Sequence, residues 1–154
     1  MIYNNQAKEL FAEFNIDNIK ADDKYPIWER TDNFGRAYYG VSDFRNMDND
    51  ISIDTDLSWL EWDGNEVNID FSDPDLLELK YIEAVSILKS WKAQLKKYSD
   101  SKFCIIMSYD NGDLMAEEDR EYSFTLRFWK ERSDSVLISS TDDFAQPVII
   151  QYCN

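Results

Sequence analysis

The most regular spacing of apolar and polar positions lies in SDPDLLELKYIEAVSILKSWKAQLKKYS, residues 72–99. Leu77, Tyr81, Val85, Leu88, Trp91, Leu95 and Tyr98 recur three or four residues apart, which gives one continuous apolar face and predicts a long helix laid against a sheet. Its start is marked by Ser72 or Asp73 as a cap and by Pro74 at the first helical position, where a missing N–H costs nothing. Asp75 and Glu78 meet the positive end of the helix dipole, and Lys92, Lys96 and Lys97 the negative end. A shorter helix is expected in NNQAKELFAEFN, capped by Asn4 or Asn5, with Leu10, Phe11 and Phe14 at helical spacing.

The other patterned segments read as strands. KYPIWERT and GRAYYGVSDF are rich in aromatic and β-branched residues and flank the turn-forming DNFG. WLEWDGNEVNIDF reads as a hairpin turning at Asp63-Gly64, with Trp59 and Glu61 on one strand face and Leu60 and Trp62 on the other. At most one of the two tryptophans then faces the core. After the long helix, SKFCIIMSY, EYSFTLRFW, SVLISS and QPVIIQY suggest an antiparallel meander. Strands and helices do not alternate regularly, so the expected fold is α+β: a single domain, residues 1–154, with a curved antiparallel sheet, one long central helix and a short N-terminal helix.

Composition narrows the class. A chain that is 44% hydrophobic and 15% aromatic has ample material for one core. No apolar run approaches membrane-spanning length, and the opening MIYNNQAKELF lacks the layout of a signal peptide, so a soluble cytoplasmic protein is expected. Cys104 and Cys153 show no CxxC spacing, and no histidine is present to complete a zinc site. Cys104, within KFCIIM, reads as a core residue.

Charge changes the picture most. There are 31 acidic and 16 basic side chains, for a formal net charge of −15, and the many aromatics place this charge on a folded surface. Such a field repels nucleic acid and anionic membranes and favours encounter with a basic partner. Residues 1–79 hold 19 acidic and 6 basic side chains, against 12 and 10 in residues 80–154.

The acidic stretch DNDISIDTD, residues 48–56, invites comparison with a calcium loop. Counted from Asp48, however, Ile53 stands where the loop needs glycine and Trp59 where it needs a bidentate glutamate. The plainer reading is a short half-buried extended segment in which Ile51 and Ile53 share one face and Ser52 and Asp54 the other. No phosphate loop, dinucleotide fingerprint, nucleophile elbow or zinc helix occurs, and without histidine the usual triads are excluded. A non-enzymatic protein without a cofactor or metal is therefore expected.

Two acidic clusters remain as candidate partner-binding surfaces. The first comprises Asp48, Asp50, Asp54, Asp56, Trp59 and Glu61; the second, in YDNGDLMAEEDREYS, comprises Asp113, Glu117, Glu118 and Asp119. Carboxylates around an aromatic anchor suit docking to a basic cleft, but core tryptophans with merely solvating acids would give the same pattern. The second cluster reads first as a solvated hairpin tip and otherwise as a contact for a partner.

The stretch YSFTLRFWKERSDSVLISSTDDFAQPVIIQY combines a strand, a turn, a second strand, an acidic break and a final strand opened by Gln146-Pro147-Val148. With the acidity of the whole chain, it resembles the small immunity proteins encoded beside bacterial polymorphic toxins, including those of contact-dependent growth inhibition systems. The resemblance implies a role: binding a cognate toxin domain, expected to be a basic nuclease, and blocking its active or substrate-binding site. The alternative is an acidic nucleic-acid mimic that inhibits a DNA- or RNA-binding enzyme, although a duplex mimic needs acid along its whole length. Oligomeric state is left open.

Overall fold

The computed structural model describes residues 1–41, 51–98, 100–132 and 137–153. Among these, the chain order is β1 (Ile2–Tyr3), α1 (Asn5–Leu10), β2 (Ile27–Thr31), β3 (Ala37–Val41), α2 (Leu57–Gly64), β4 (Glu66–Phe71), α3 (Leu77–Leu95), β5 (Lys102–Asp110), β6 (Tyr122–Glu131) and β7 (Val148–Cys153). The fold is α+β, as the pattern predicts. Strands β1, β7, β5, β6 and β4 form one antiparallel sheet in that order, and β2 and β3 form a separate hairpin.

The long helix follows its sequence signals. Asp73 accepts from the Asp75 N–H, Pro74–Leu76 make a 3-10 turn, and α3 then runs for 19 residues. Leu77 and Tyr98 are partly buried against the core, and Tyr81, Val85, Leu88, Trp91 and Leu95 are buried within it. They meet Val67, Ile69 and Phe71 of β4, alternate residues of β5 from Phe103 to Tyr109, and Phe124, Leu126 and Phe128 of β6. Residues 16–25, which carry little pattern of their own, cover the outer side of α3. Asp22 N–H donates to the Ser86 carbonyl at 3.2 Å, Lys89 donates to the Ile16 and Ile19 carbonyls, and Trp91 Nε1 donates to the Tyr25 carbonyl at 3.1 Å. Ser90, off the apolar stripe, is buried on this side, and its hydroxyl donates to the Asp23 carboxylate at 3.2 Å.

Four expectations are corrected. The strand order is not a meander, because β7 pairs with β5 on the side away from β6, while β4 takes the other side of β6. The segment expected to start a hairpin at Trp59 is instead helix α2. Asp56 caps it by accepting from the Ser58 and Trp59 N–H groups, and only the part after Gly64 becomes a strand. The short run WLEW fits either period, and the cap together with inward Leu57 and Glu61 selects the helix. Ile51 and Ile53 do not share a face: the Thr55 N–H closes a turn on the Ser52 carbonyl, leaving Ile51 buried and Ile53 59% exposed. Within SVLISS, Leu137 and Ile138 lie outside any strand and pack on the second sheet face, beside Cys104, Ile106, Trp129, Val148 and Ile150.

The β2–β3 hairpin forms as its residues suggest. Gly35 takes φ 80° in the turn. Gly40 is required for a different reason: the Trp28 ring lies over it so closely that a Cβ there would fall 2.2 Å from a ring carbon.

Leu88 is fully buried against the sheet. Leu88→Ala should therefore cost about 2 to 5 kcal/mol in denaturant unfolding, and a loss below about 1 kcal/mol would contradict this packing.

Candidate functional site

Helix α2 carries Trp59 and Glu61 of the first candidate cluster, with Asp56 as its cap, and its inner face fixes how the outer face is presented. Glu61 is fully buried. It accepts from the Tyr39 N–H at 3.1 Å and the Lys130 N–H at 2.6 Å, and it forms an ion pair with Arg132 at 2.8 Å. One turn later, Asn65 accepts from the Val41 N–H at 3.3 Å and donates to the Tyr39 carbonyl at 3.0 Å and the Phe128 carbonyl at 3.2 Å. Ser58 adds a bond to the Lys130 carbonyl at 2.8 Å. Side chains of α2 thus stand in for a strand between β3 and the end of β6. Burial pushes the Glu61 carboxyl above the ordinary glutamate range, against the pull of Arg132 and the two N–H groups. Glu61, expected on the docking surface, is instead the buried root of that surface, because its charge has four donors inside and none is offered outside.

A second anchor comes from Arg36. Its Nε pairs with Asp32 at 2.7 Å, and its terminal nitrogens donate to the Ser52 carbonyl at 2.7 Å, Ile53 at 2.9 Å and Thr55 at 3.2 Å. Asp32 also accepts from the Phe34 and Arg36 N–H groups, each at 2.9 Å. Burial opposes ionisation of Asp32, yet the donors from Arg36 and Phe34 prevail and hold its carboxyl below the usual aspartate range. The hairpin turn and the segment before α2 are thereby fastened to each other.

These anchors leave a compact outer surface. Asp54, Asp56 and Asp63 are exposed, and Trp59 is 50% exposed between them in sequence. The Trp59 ring meets Trp62 edge-on at 6.4 Å, and Trp62 meets the buried Trp129 at 4.9 Å, so the exposed ring caps an aromatic row rooted in the sheet. Asp54 and Asp56 line a cleft of about 500 Å³ together with Ile53, Leu57, Arg36, Lys130 and Arg132. Phe34 and Ile53 are both largely exposed, and both were missed as anchors. A phenylalanine inside a turn was the available signal for the first; Ile53 gave none, since alternation pointed it inward. Asp48 and Asp50 lie outside the described residues.

The second cluster stands apart. Asp113, Glu117, Glu118 and Asp119 are all exposed on the β5–β6 connection, as is Leu114 at its tip. The base of this connection is shaped by the Gly112 N–H bond to Asp110 at 2.8 Å and by Gly112 itself, at φ 65°. Exposed Leu114 and Met115 are its only large apolar groups.

Among the described residues, no three His, Cys, Asp or Glu side chains gather as metal ligands do. Cys104 and Cys153 are both buried and free, and they face opposite sides of the sheet, one in each apolar cluster. Burial raises both thiols, Cys153 to about 11. No helix among the described residues is long and apolar enough to cross a membrane. Compared with known protein families, characterised proteins and solved structures, the chain finds no match.

Two outcomes follow. Arg132→Met should cost about 3 to 5 kcal/mol in denaturant melts, since it leaves the buried Glu61 charge uncompensated. An effect under about 1 kcal/mol would mean that α2 is not held by this pair. For Asp32, whose folded carboxyl titrates below its unfolded value, stabilisation is full above the ordinary aspartate pKa and is lost as pH falls through the depressed value. The stability gap between the parent and Asp32→Asn should therefore narrow below about pH 4 in acid titrations of the folded fraction.

Proposed function

We propose that this protein is an immunity-type inhibitor that binds a basic bacterial toxin domain, a nuclease by expectation, and blocks its active or substrate-binding site. The observation that carries this reading is the half-exposed Trp59 ring beside Asp54, Asp56 and Asp63, on a helix whose inner face is pinned by Glu61. Interfaces are anchored by aromatic side chains in well-packed settings, and a ring already packed edge-on against Trp62 loses little freedom on docking. Acid around it meets the basic groups that a nuclease uses to hold phosphates. The net charge of −15 supplies steering. No chemistry of its own is required of such an inhibitor.

Exposed Trp59, Ile53 and Phe34 favour this reading over nucleic-acid mimicry. A phosphate-like surface has no use for three apolar anchors, whereas a protein cleft does. The resemblance of residues 122–152 to immunity proteins supports the same role.

The test looks for a toxin domain in the reading frame adjacent to this protein's own and measures its binding by surface kinetics at several salt concentrations. Trp59→Ala should weaken the complex by about 2 kcal/mol or more, mainly through faster dissociation. Asp54→Asn together with Asp56→Asn keeps a competent helix cap and should slow association at low salt, converging with the parent at high salt. If these changes are silent while neutralising Asp113, Glu117, Glu118 and Asp119 weakens binding, the β5–β6 connection is the interface. If all are silent, the acidic surface is not how the partner is recognised.

A further inference from the structure

The edges of the five-stranded sheet are treated unequally. On one side β1 is only two residues long, and Asn4 extends its pairing with β7 by one residue: its N–H donates to the Val148 carbonyl at 3.1 Å, and its side chain accepts from the Val148 and Ala7 N–H groups at 3.0 Å. On the other side, the part of β6 beyond β4 is capped by Ser58, Glu61 and Asn65 of α2. Among the described residues, strand β4 has no such hydrogen-bonded cover, and only Tyr25 and Val41 lie beside its first three residues. Its ladder pairs Glu66 through Phe71 with Arg127 through Tyr122, and among the described residues none of its outward N–H or carbonyl groups meets another partner. Its apolar residues Val67, Ile69 and Phe71 keep 5–7% exposure, whereas Leu126 and Phe128 of the neighbouring strand keep none.

We infer that β4 is a docking edge, which takes up a β-strand of a partner protein bearing Lys or Arg on alternate positions. An unpaired edge is a template for main-chain pairing, and alternate side chains set what can pair with it. The outer face of β4 presents Glu66, Asn68 and Asp70, all exposed. Glu66 bonds Arg127 and Asn68, and Asp70 accepts from Ser123 at 2.7 Å, so both carboxylates are oriented on the sheet and keep further lone pairs for an incoming cation. A second copy of this chain is the wrong occupant. Antiparallel self-pairing centred on Asn68 sets Glu66 opposite Asp70 of the copy at both ends, and like charges directly opposite disfavour a strand pair. A strand with basic side chains at those two positions turns the same contacts into attractions. The inference rests on the reading that the partner is a basic protein, and it adds the element by which that partner attaches.

The experiment needs no toxin. The full-length 15N-labelled protein is titrated with two synthetic ten-residue peptides of alternating valine, one with Lys and one with Glu at the intervening positions. The expected result is that the Lys peptide shifts the amide signals of residues 66–71 and slows their exchange with solvent, while the Glu peptide does neither. Asp70→Lys, with its fold checked by the dispersion of the same spectrum, should weaken the Lys peptide about three- to thirtyfold. Asp70→Asn should fall between. The inference is overturned if the Lys peptide perturbs only residues 52–63, or if both peptides bind alike. It is also overturned if the free protein sediments as a dimer with the β4 amides already protected. Because the probe is toxin-independent, a silent β4 with intact toxin binding sinks this inference alone, whereas loss of toxin binding through Trp59 concerns only the functional reading.

Discussion

Everything around the candidate surface depends on a carboxylate buried where a strand is missing. Between β3 and the end of β6 the backbone groups have no neighbouring strand, and unpaired buried N–H groups are costly. Glu61 on α2 and Asn65 at its C-terminal cap, one helical turn apart, bond both sides of this gap, and Arg132 balances the charge that burial isolates. The arrangement couples three elements. The hairpin, the helix and the sheet cannot shift separately without exposing a buried charge or orphaning an amide.

That coupling gives the exposed residues their character. Trp59 projects from a helix whose opposite face is fixed, and its ring rests on Trp62 and through it on Trp129 in the sheet. Arg36 does the same for the segment before the helix by taking three carbonyls at once. The β5–β6 connection carries as much acid but fewer anchors, with Leu114 wholly exposed at its tip. Charge alone therefore does not set the capacity to bind. A preorganised aromatic surface loses less conformational freedom on docking than a solvated tip does.

Much of the architecture was legible in order. The 19-residue helix announces itself through its stripe and its Asp73-Pro74 start, β5 and β7 through continuous apolar runs, and β6 through alternation. Errors fell where local pattern and long-range pairing compete. WLEW is too short for its period to decide between strand and helix, and Glu61 looks like a surface residue until Arg132, 71 positions away, is placed beside it. The position of β7 beside β5 depends on which edge is free when the strand arrives, and alternation within the strand carries no such information.

By itself, then, the sequence determined the α+β class, the long helix, the excess of acid and its concentration in the first half, because periodicity and charge are local sums over side chains. Which acids are exposed was decided only by tertiary structure. Glu61 and Asp56 lie five residues apart with similar chemistry, yet one is buried as a structural ion and the other caps a helix at the surface. The difference arises from where β3 and β6 leave their amides, and distant backbone groups of that kind are not written in the neighbourhood of either residue.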